Sequence, residues 1–329
     1  MATWFKRKII RPVRDGVLYV LASLVFVIAP IMPRKFLLSL NGALCKLFYR
    51  LNKKQPAIIV NNLTRVYGPD EEGKYRKLGL RVFQNITRSF TDYAIWGNRR
   101  SWDFFSRYFK VEGEEHLRAA YERGKGVLCL VPHTAAWEFS AIVPPMLGYK
   151  TSWVTSRIKN PALGKLLVRH RESRGVHNII RHRCYDQLVE LLRNGECLII
   201  MTDQDSKNVR GEFVEFMGIK AYTPTGCSRL AAETGAAVVP MCTLRGDDDK
   251  YTFTVYPELP PVYAPDGSYD IIANTRLQND ALSRIIFDNP DQWVWFHKRW
   301  NTTPETLARF LEKRGKTMEL DESLLQNEA

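Results

Sequence analysis

The sequence lacks the signatures of most catalytic machineries. Its 20 glycines build no G-x-S-x-G nucleophile turn, no G-x-x-x-x-G-K phosphate loop and no G-x-G-x-x-G dinucleotide loop. Its six cysteines, Cys45, Cys129, Cys184, Cys197, Cys227 and Cys242, form no C-x-x-C pair and match no zinc spacing. Several sit in apolar runs, as Cys129 does within 127–131, so they read as reduced core residues of a cytosolic environment. No His/Cys/Asp cluster has metal spacing, and the sequence calls for no cofactor. Internal repeats and low-complexity linkers are missing too. Acidic residues are nearly absent from the first 60 positions, where Asp15 stands against 11 basic residues.

What is present is a chain of 329 residues, 45% apolar and 25% charged, which is globular composition with enough length to bury a core without disulfides. The net charge is +13, of which the first 60 residues supply +10. Positive charge beside apolar sequence points to an anionic membrane surface before it points to nucleic acid. The uncharged run 17–33 follows the basic stretch 6–14, and its exit, Ala29-Pro30-Ile31-Met32-Pro33, offers no small-x-small cleavage site. It reads as a retained anchor or an interfacial helix. Because Arg34-Lys35 resumes the positive charge, the flanks give no orientation. Aromatics and cations then interleave through 76–109, where Leu80, Phe83, Ile86, Thr87 and Phe90 have near-helical spacing.

From Val111 onward the pattern alternates. Strands are expected at 127–131, 151–155, 197–201, 237–242 and 251–256, and helices at 137–147, 162–174, 185–193 and 225–233. Asp247-Asp248-Asp249 reads as a hairpin turn, and 293–300 (Trp-Val-Trp-Phe-His-Lys-Arg-Trp) as a buried strand with a basic end. The alternation argues for an α/β sheet. The expected organisation is a basic, membrane-anchoring segment 1–54, a helical aromatic-rich part 55–110, a catalytic core 111–304, and a C-terminal helix with acidic tail 305–329.

The candidate chemistry begins at His133, placed just past a strand, where open α/β sheets bind their ligands. Glu138 follows five residues on, about 140° off the same helical face, so it can meet His133 only by reaching back from the first turns of a helix. A carboxylate on one imidazole nitrogen raises the basicity of the other, making a general base for a hydroxyl. Residues 157–185 hold eight Lys/Arg against one acidic residue, a candidate site for phosphate groups. Asp203-Gln204-Asp205 ends another strand and could hold a divalent cation, orient a cation of the protein, or cap a turn. No nucleophile is visible, so direct attack by an acceptor hydroxyl fits better than a covalent intermediate.

The ordered set resembles the lipid A biosynthesis late acyltransferases, the lauroyl/myristoyl transferases of Gram-negative bacteria. It comprises Glu112-Gly113-Glu114-Glu115-His116-Leu117, Gly124-Lys125-Gly126-Val127, His133-x4-Glu138, Arg157 with Lys159-Asn160-Pro161, Asp203-Gln204-Asp205, Phe216-Met217-Gly218, Thr223-Pro224-Thr225-Gly226 and Trp295-x-His297-x-Arg299-Trp300. The resemblance implies a glycerol-phosphate-acyltransferase-like mixed sheet flanked by helices, with a membrane-associated N-terminal helix. It implies an inner-membrane enzyme, single-pass or peripheral, whose catalytic domain faces the cytoplasm. It implies transfer of an acyl chain from acyl carrier protein to a hydroxyl of a phosphorylated glucosamine-based lipid, with no nucleic acid as partner. It makes His133 the base and Glu138 its orienting partner, and Arg157, Asn160, Arg174, Asp203, Asp205 and Arg299 candidates for substrate binding. The alternatives are acyl transfer to another glycolipid or an aminolipid, and metal-dependent glycosyl transfer through Asp203 and Asp205.

Overall fold

The computed structural model describes residues 11–70, 72–96, 99, 101–313 and 315. The basic start 6–8 and the acidic tail from Met318 lie outside the described residues. The apolar runs pair into one seven-stranded sheet. Across the sheet these are β1 (Phe109–Glu112), β9 (Tyr251–Val255), β8 (Ala237–Arg245), β2 (Val127–Leu130), β5 (Cys197–Ile200), β3 (Thr151–Thr155) and β4 (Val176–Ile180). Every neighbouring pair is parallel except β8 with β9, which the Asp247–Asp249 turn joins as the expected hairpin. The sheet is mixed, parallel-dominated and covered by helices, as the sequence implied.

The central strands are apolar on both faces, as a sheet covered on both sides requires. Leu128, Leu130 and Leu198 enter one core cluster, while Val127, Cys129, Cys197 and Ile199 enter another. All six cysteines are free and buried. The first cluster packs against α9 (Tyr185–Arg193), α10 (Gly226–Thr234) and α11 (Ile271–Asp288); the second receives α7 (Trp137–Met146) and α6 (Glu114–Glu122). Gly126, at φ +76°, leads into β2, where a Cβ would come within 2.5 Å of the Leu192 carbonyl oxygen, so only glycine fits.

Four parts of the fold differ from expectation. β1, β4 and the separate hairpin β6 (Gly211–Phe216) and β7 (Ile219–Pro224) carried weak strand patterns. The hairpin turns on Met217 and Gly218, both at positive φ, which matches the right-handed strand twist. The run 293–300 is no strand. Its backbone closes on itself in successive turns, Trp295 N–H to the Trp293 carbonyl and His297 N–H to the Val294 carbonyl, so these donors are spent locally and not on a strand ladder.

The N-terminal third is helical: α1 (Arg11–Ile28), α2 (Arg34–Leu51), α3 (Lys54–Tyr67), α4 (Lys74–Ile95) and the short α5 (Trp102–Phe105). The stretch Pro12–Ile31 is 20 residues long and apolar enough to cross a membrane, and little of it is buried. One side of α1 nevertheless packs on the protein: Phe26 stacks on His170 of α8 (Pro161–Glu172) at 4.1 Å and meets Tyr93 edge-on. Most of the aromatics between 83 and 109 build core, with Trp96 at the centre of a cluster including Phe105, Phe109 and Tyr251.

The helical part is clamped to the sheet at one buried charge. Asp92 accepts two hydrogen bonds from Arg34, at 2.6 and 2.8 Å, and a third from the Tyr251 hydroxyl at 2.7 Å. The Arg34 guanidinium also lies over the rings of Trp96 and Tyr108. Removing one partner of such a pair strands the other charge. Asp92→Ala is expected to lower unfolding stability by about 3–5 kcal/mol, measured by denaturant midpoints in micelles. Arg14→Ala, which breaks an exposed pair with Asp15, should change it by less than about 1 kcal/mol. Equal effects would contradict the clamp.

Candidate active site

Two neighbouring parallel strands deliver the central pair. β2 and β5 pair with Leu130 opposite Ile200, and Val131 N–H continues the ladder to the Ile200 carbonyl at 3.0 Å. Three residues further along each strand stand His133 and Asp203, so register alone sets them side by side, beyond the carboxyl edge of the sheet.

Asp203 is fully buried, and each of its oxygens is engaged. Oδ1 accepts from His133 Nδ1 at 2.6 Å; Oδ2 accepts the His133 backbone N–H at 2.7 Å and Trp293 Nε1–H at 2.8 Å. Burial by itself would raise this carboxyl, but the His133 charge and these donors outweigh it and hold it at about 2. An ionised carboxylate has no proton to give. The Nδ1 position of His133 therefore carries the hydrogen, and Nε2 is the ring nitrogen left for a substrate. Trp293 is fixed in turn by a bridge to Thr134.

His133 lines a cavity of about 520 Å³. Its walls are largely apolar: Phe90, Trp137, Trp153, Leu167, Leu188, Leu230 and Phe296. Of the aromatics between 83 and 109, only Phe90 reaches it. Such a cavity suits the hydrocarbon part of an amphiphile. A polar cavity of about 330 Å³ abuts it, sharing Asp205, Ser206 and His297.

Glu138 does not orient His133, contrary to the expectation from spacing. Its two oxygens accept from Arg171 Nη2 at 2.6 Å and Nε at 3.0 Å. Arg171 also donates to Asn178 and lies 4.0 Å over the Trp153 ring. Helix α7 starts at Trp137, so Glu138 sits in its first turn and faces α8 along with the cavity. The nonlocal strand pairing supplies the carboxylate that local spacing seemed to offer.

The other expected residues fall into separate places. Asp205 lines the cavity, but its carboxylate accepts from the Asn301 and Thr302 backbone and the Thr302 hydroxyl. Asp203 and Asp205 thus serve different partners and do not converge as a metal pair. Arg157 is exposed beside the cavity wall without lining it. Asn160 caps α8 by accepting from Ala162 and Leu163, and donates to the Asp15 carbonyl of α1. Arg174 is buried over Tyr93 and donates to backbone carbonyls of Tyr93 and Trp96. Arg299 is buried over Phe216 and donates to Tyr222 and Thr223. These last three hold the fold rather than the cavity. Sequence reasoning missed Arg210 and Arg229, ranked Arg181 of the basic stretch below Arg157, and passed over His297; all four line the cavity.

His297 lines both cavities, with its ring centroid 6.2 Å from that of His133. Burial, and then the neighbouring His133, lower it to about 4, against a smaller opposing pull from Asp203. Its folded form therefore resists a proton that the unfolded chain accepts near 6.5. Stability is undiminished above pH 6.5 and falls as pH drops from there toward 4. His297→Gln should remove about 2–3 kcal/mol of the stability lost between about pH 7 and 4.5, read from denaturant midpoints of both proteins. Identical pH slopes would contradict the buried neutral imidazole.

The comparisons with known proteins identify the family. The model of the bacterial lipid A biosynthesis acyltransferase family matches residues 4–302. The lipid A biosynthesis lauroyltransferase of Escherichia coli (strain K12) is 25% identical, over 83% of this chain and 88% of that protein. A phosphatidylinositol mannoside acyltransferase of Mycobacterium tuberculosis (strain CDC 1551 / Oshkosh) is 28% identical, over 58% of this chain and 59% of that protein. A lipid A biosynthesis acyltransferase of Haemophilus influenzae is 26% identical over 56% of each. The chain belongs to the bacterial lipid A biosynthesis acyltransferase family, and the cavity at the sheet's carboxyl edge is its candidate active site.

Proposed function

We propose that this protein transfers a fatty acyl chain from an acyl thioester, carried by acyl carrier protein, to a hydroxyl of a phosphorylated lipid A precursor, with His133 as general base and Asp203 as its orienting partner. The observation that carries this reading is the His133 Nδ1 to Asp203 Oδ1 hydrogen bond, set in the wall of an apolar cavity. The acceptor hydroxyl gives its proton to His133 Nε2 as its oxygen attacks the thioester carbonyl. A C–O bond forms and the C–S bond breaks. The leaving thiolate then takes the proton back from the imidazolium, which Asp203 stabilises meanwhile. No covalent intermediate is needed, because the thioester is already activated. Glu138 acts at one remove, holding Arg171 and the cavity wall.

The enzyme works at the cytoplasmic face of the inner membrane, as the family resemblance implies. Two consecutive helices support the membrane contact itself. Val17, Leu21, Leu24 and Val25 of α1 are exposed, and so are Phe36, Leu40, Leu44, Leu47 and Leu51 of α2. The α2 residues recur every three or four positions, one helical face, with Lys35, Lys46 and Arg50 on the same helix to meet anionic headgroups. A second acceptor class, a phosphatidylinositol mannoside, is favoured by the names of the 28%-identical relatives.

Mass spectrometry of lipid A from cells lacking the gene should show loss of one secondary acyl chain, restored by the wild-type chain. Unchanged lipid A alongside an altered glycolipid of another class would favour the second reading. His133→Ala and Asp203→Asn should each lower kcat by roughly 10³-fold or more. Glu138→Gln should also cost about 3–5 kcal/mol of stability by stranding Arg171. Full activity of Asp203→Asn would contradict the mechanism. Separately, the triple change Leu40→Glu, Leu44→Glu, Leu47→Glu should sharply reduce flotation with anionic vesicles; undiminished flotation would remove α2 from the membrane contact.

A further inference from the structure

The catalytic cavity carries more positive charge than its own carboxylates answer. Glu138 is spent on Arg171, and Asp205 on Asn301 and Thr302. Arg210 and Arg229 line the same cavity, and no carboxylate of the described residues lies within ion-pair distance of either. Arg229 makes one hydrogen bond with its side chain, from Nε to Thr225 Oγ1 at 3.2 Å, which leaves its terminal nitrogens for another acceptor. Both arginines are half-buried, and burial and then the neighbouring Arg210 charge lower the proton affinity of Arg229, against smaller opposing pulls from Tyr185 and Glu212.

The two are held to one junction. Arg210 immediately precedes β6, and its carbonyl accepts the Thr225 N–H at 3.1 Å. Thr225 is the N-cap of the nine-residue α10, and Arg229 stands one turn into that helix, its N–H bonded to the Thr225 carbonyl at 3.0 Å. Gly226, the first residue of α10, also lines the cavity, with nothing within 4 Å of where a Cβ would be. Two guanidiniums, one of them held through Nε, and an open, electropositive helix start therefore face one space. Like charges brought together at a cost in proton affinity are stabilised by a bound anion, and planar guanidiniums match the oxygens of a phosphate.

We propose that Arg210 and Arg229 form a phosphate-ester subsite of the catalytic cavity, seating the phosphate of one substrate while its reacting group lies at His133. This rests on the acyl-transfer reading above. The phosphate belongs either to the acceptor lipid or to the phosphopantetheine arm of the donor. The subsite gives the Thr223-Pro224-Thr225-Gly226 sequence a purpose: it fixes the junction that carries both arginines. It also makes the cavity amphiphilic, with an apolar body and an anionic seat.

The test uses the full-length enzyme in micelles, wild type and Arg210→Gln/Arg229→Gln, with Arg229→Lys as a charge-retaining control. Donors are acyl-phosphopantetheine and acyl-pantetheine; acceptors are the phosphorylated lipid and its dephosphorylated form. The wild type should prefer the phosphorylated form of one substrate by at least about tenfold in kcat/KM, through KM. The double variant should lose that preference and keep its melting temperature, since relieving like charges does not unfold the chain. Loss confined to the acceptor series assigns the acceptor phosphate; loss confined to the donor series assigns the donor. Preferences unchanged in the double variant would overturn the subsite. Should the wild type transfer no acyl group to these acceptors, the function assignment fails while the subsite is still judged: inorganic pyrophosphate must raise the melting temperature of the wild type and not that of the double variant, and equal shifts would overturn it.

Discussion

The register between β2 and β5 is the constraint on which the site depends. Leu130 opposite Ile200 places His133 opposite Asp203 three residues later. A slip of one residue would separate the imidazole from its carboxylate and also turn each strand's buried side chains to the wrong core cluster. The core thus enforces the chemistry: Leu128 and Leu198 on one face, Cys129 and Ile199 on the other, permit a single alignment. Asp203 then binds three donors, two from His133 and one from Trp293, so the imidazole proposed as the base is held in position with its Nδ1 hydrogen on the carboxylate.

Around that pair the molecule is organised for an amphiphile. The apolar cavity opens beside α8, whose Leu167 and Arg171 form part of its wall. The opposite relations of α8 are with the apolar helix α1, through Phe26 on His170 and through Asn160 on the Asp15 carbonyl. The helix that forms part of the cavity wall therefore also carries the contacts to the apolar helix α1. The Arg34–Asp92 clamp joins the next helix, α2, to the sheet through Tyr251.

Much of the fold was legible in the sequence, because β2, β3, β5, β8 and β9 are continuous or alternating apolar runs bounded by breakers. Their pairing order was not, since nothing local to residues 127–131 says that 197–200 lies beside it. That gap explains the one mechanistic correction. His133 and Asp203 were each identifiable at a strand end, yet Glu138, five residues away, offered a nearer carboxylate. The structure gives Glu138 to Arg171, a partner 33 residues downstream. Arg174 and Arg299 read as binding residues because they are basic and near motifs; burial over Tyr93 and Phe216 makes them structural. Arg210 and Arg229 carried no local signal, because their proximity depends on the β6–β7 hairpin, which was itself hidden in a weakly alternating stretch.

The most direct test of the central claim is the imidazole ¹⁵N spectrum of His133 in histidine-labelled enzyme above pH 8. The account predicts the Nδ1–H tautomer in the wild type and in Glu138→Gln, and its loss in Asp203→Asn. An Nε2–H tautomer in the wild type, or a tautomer that follows Glu138 and ignores Asp203, would contradict it.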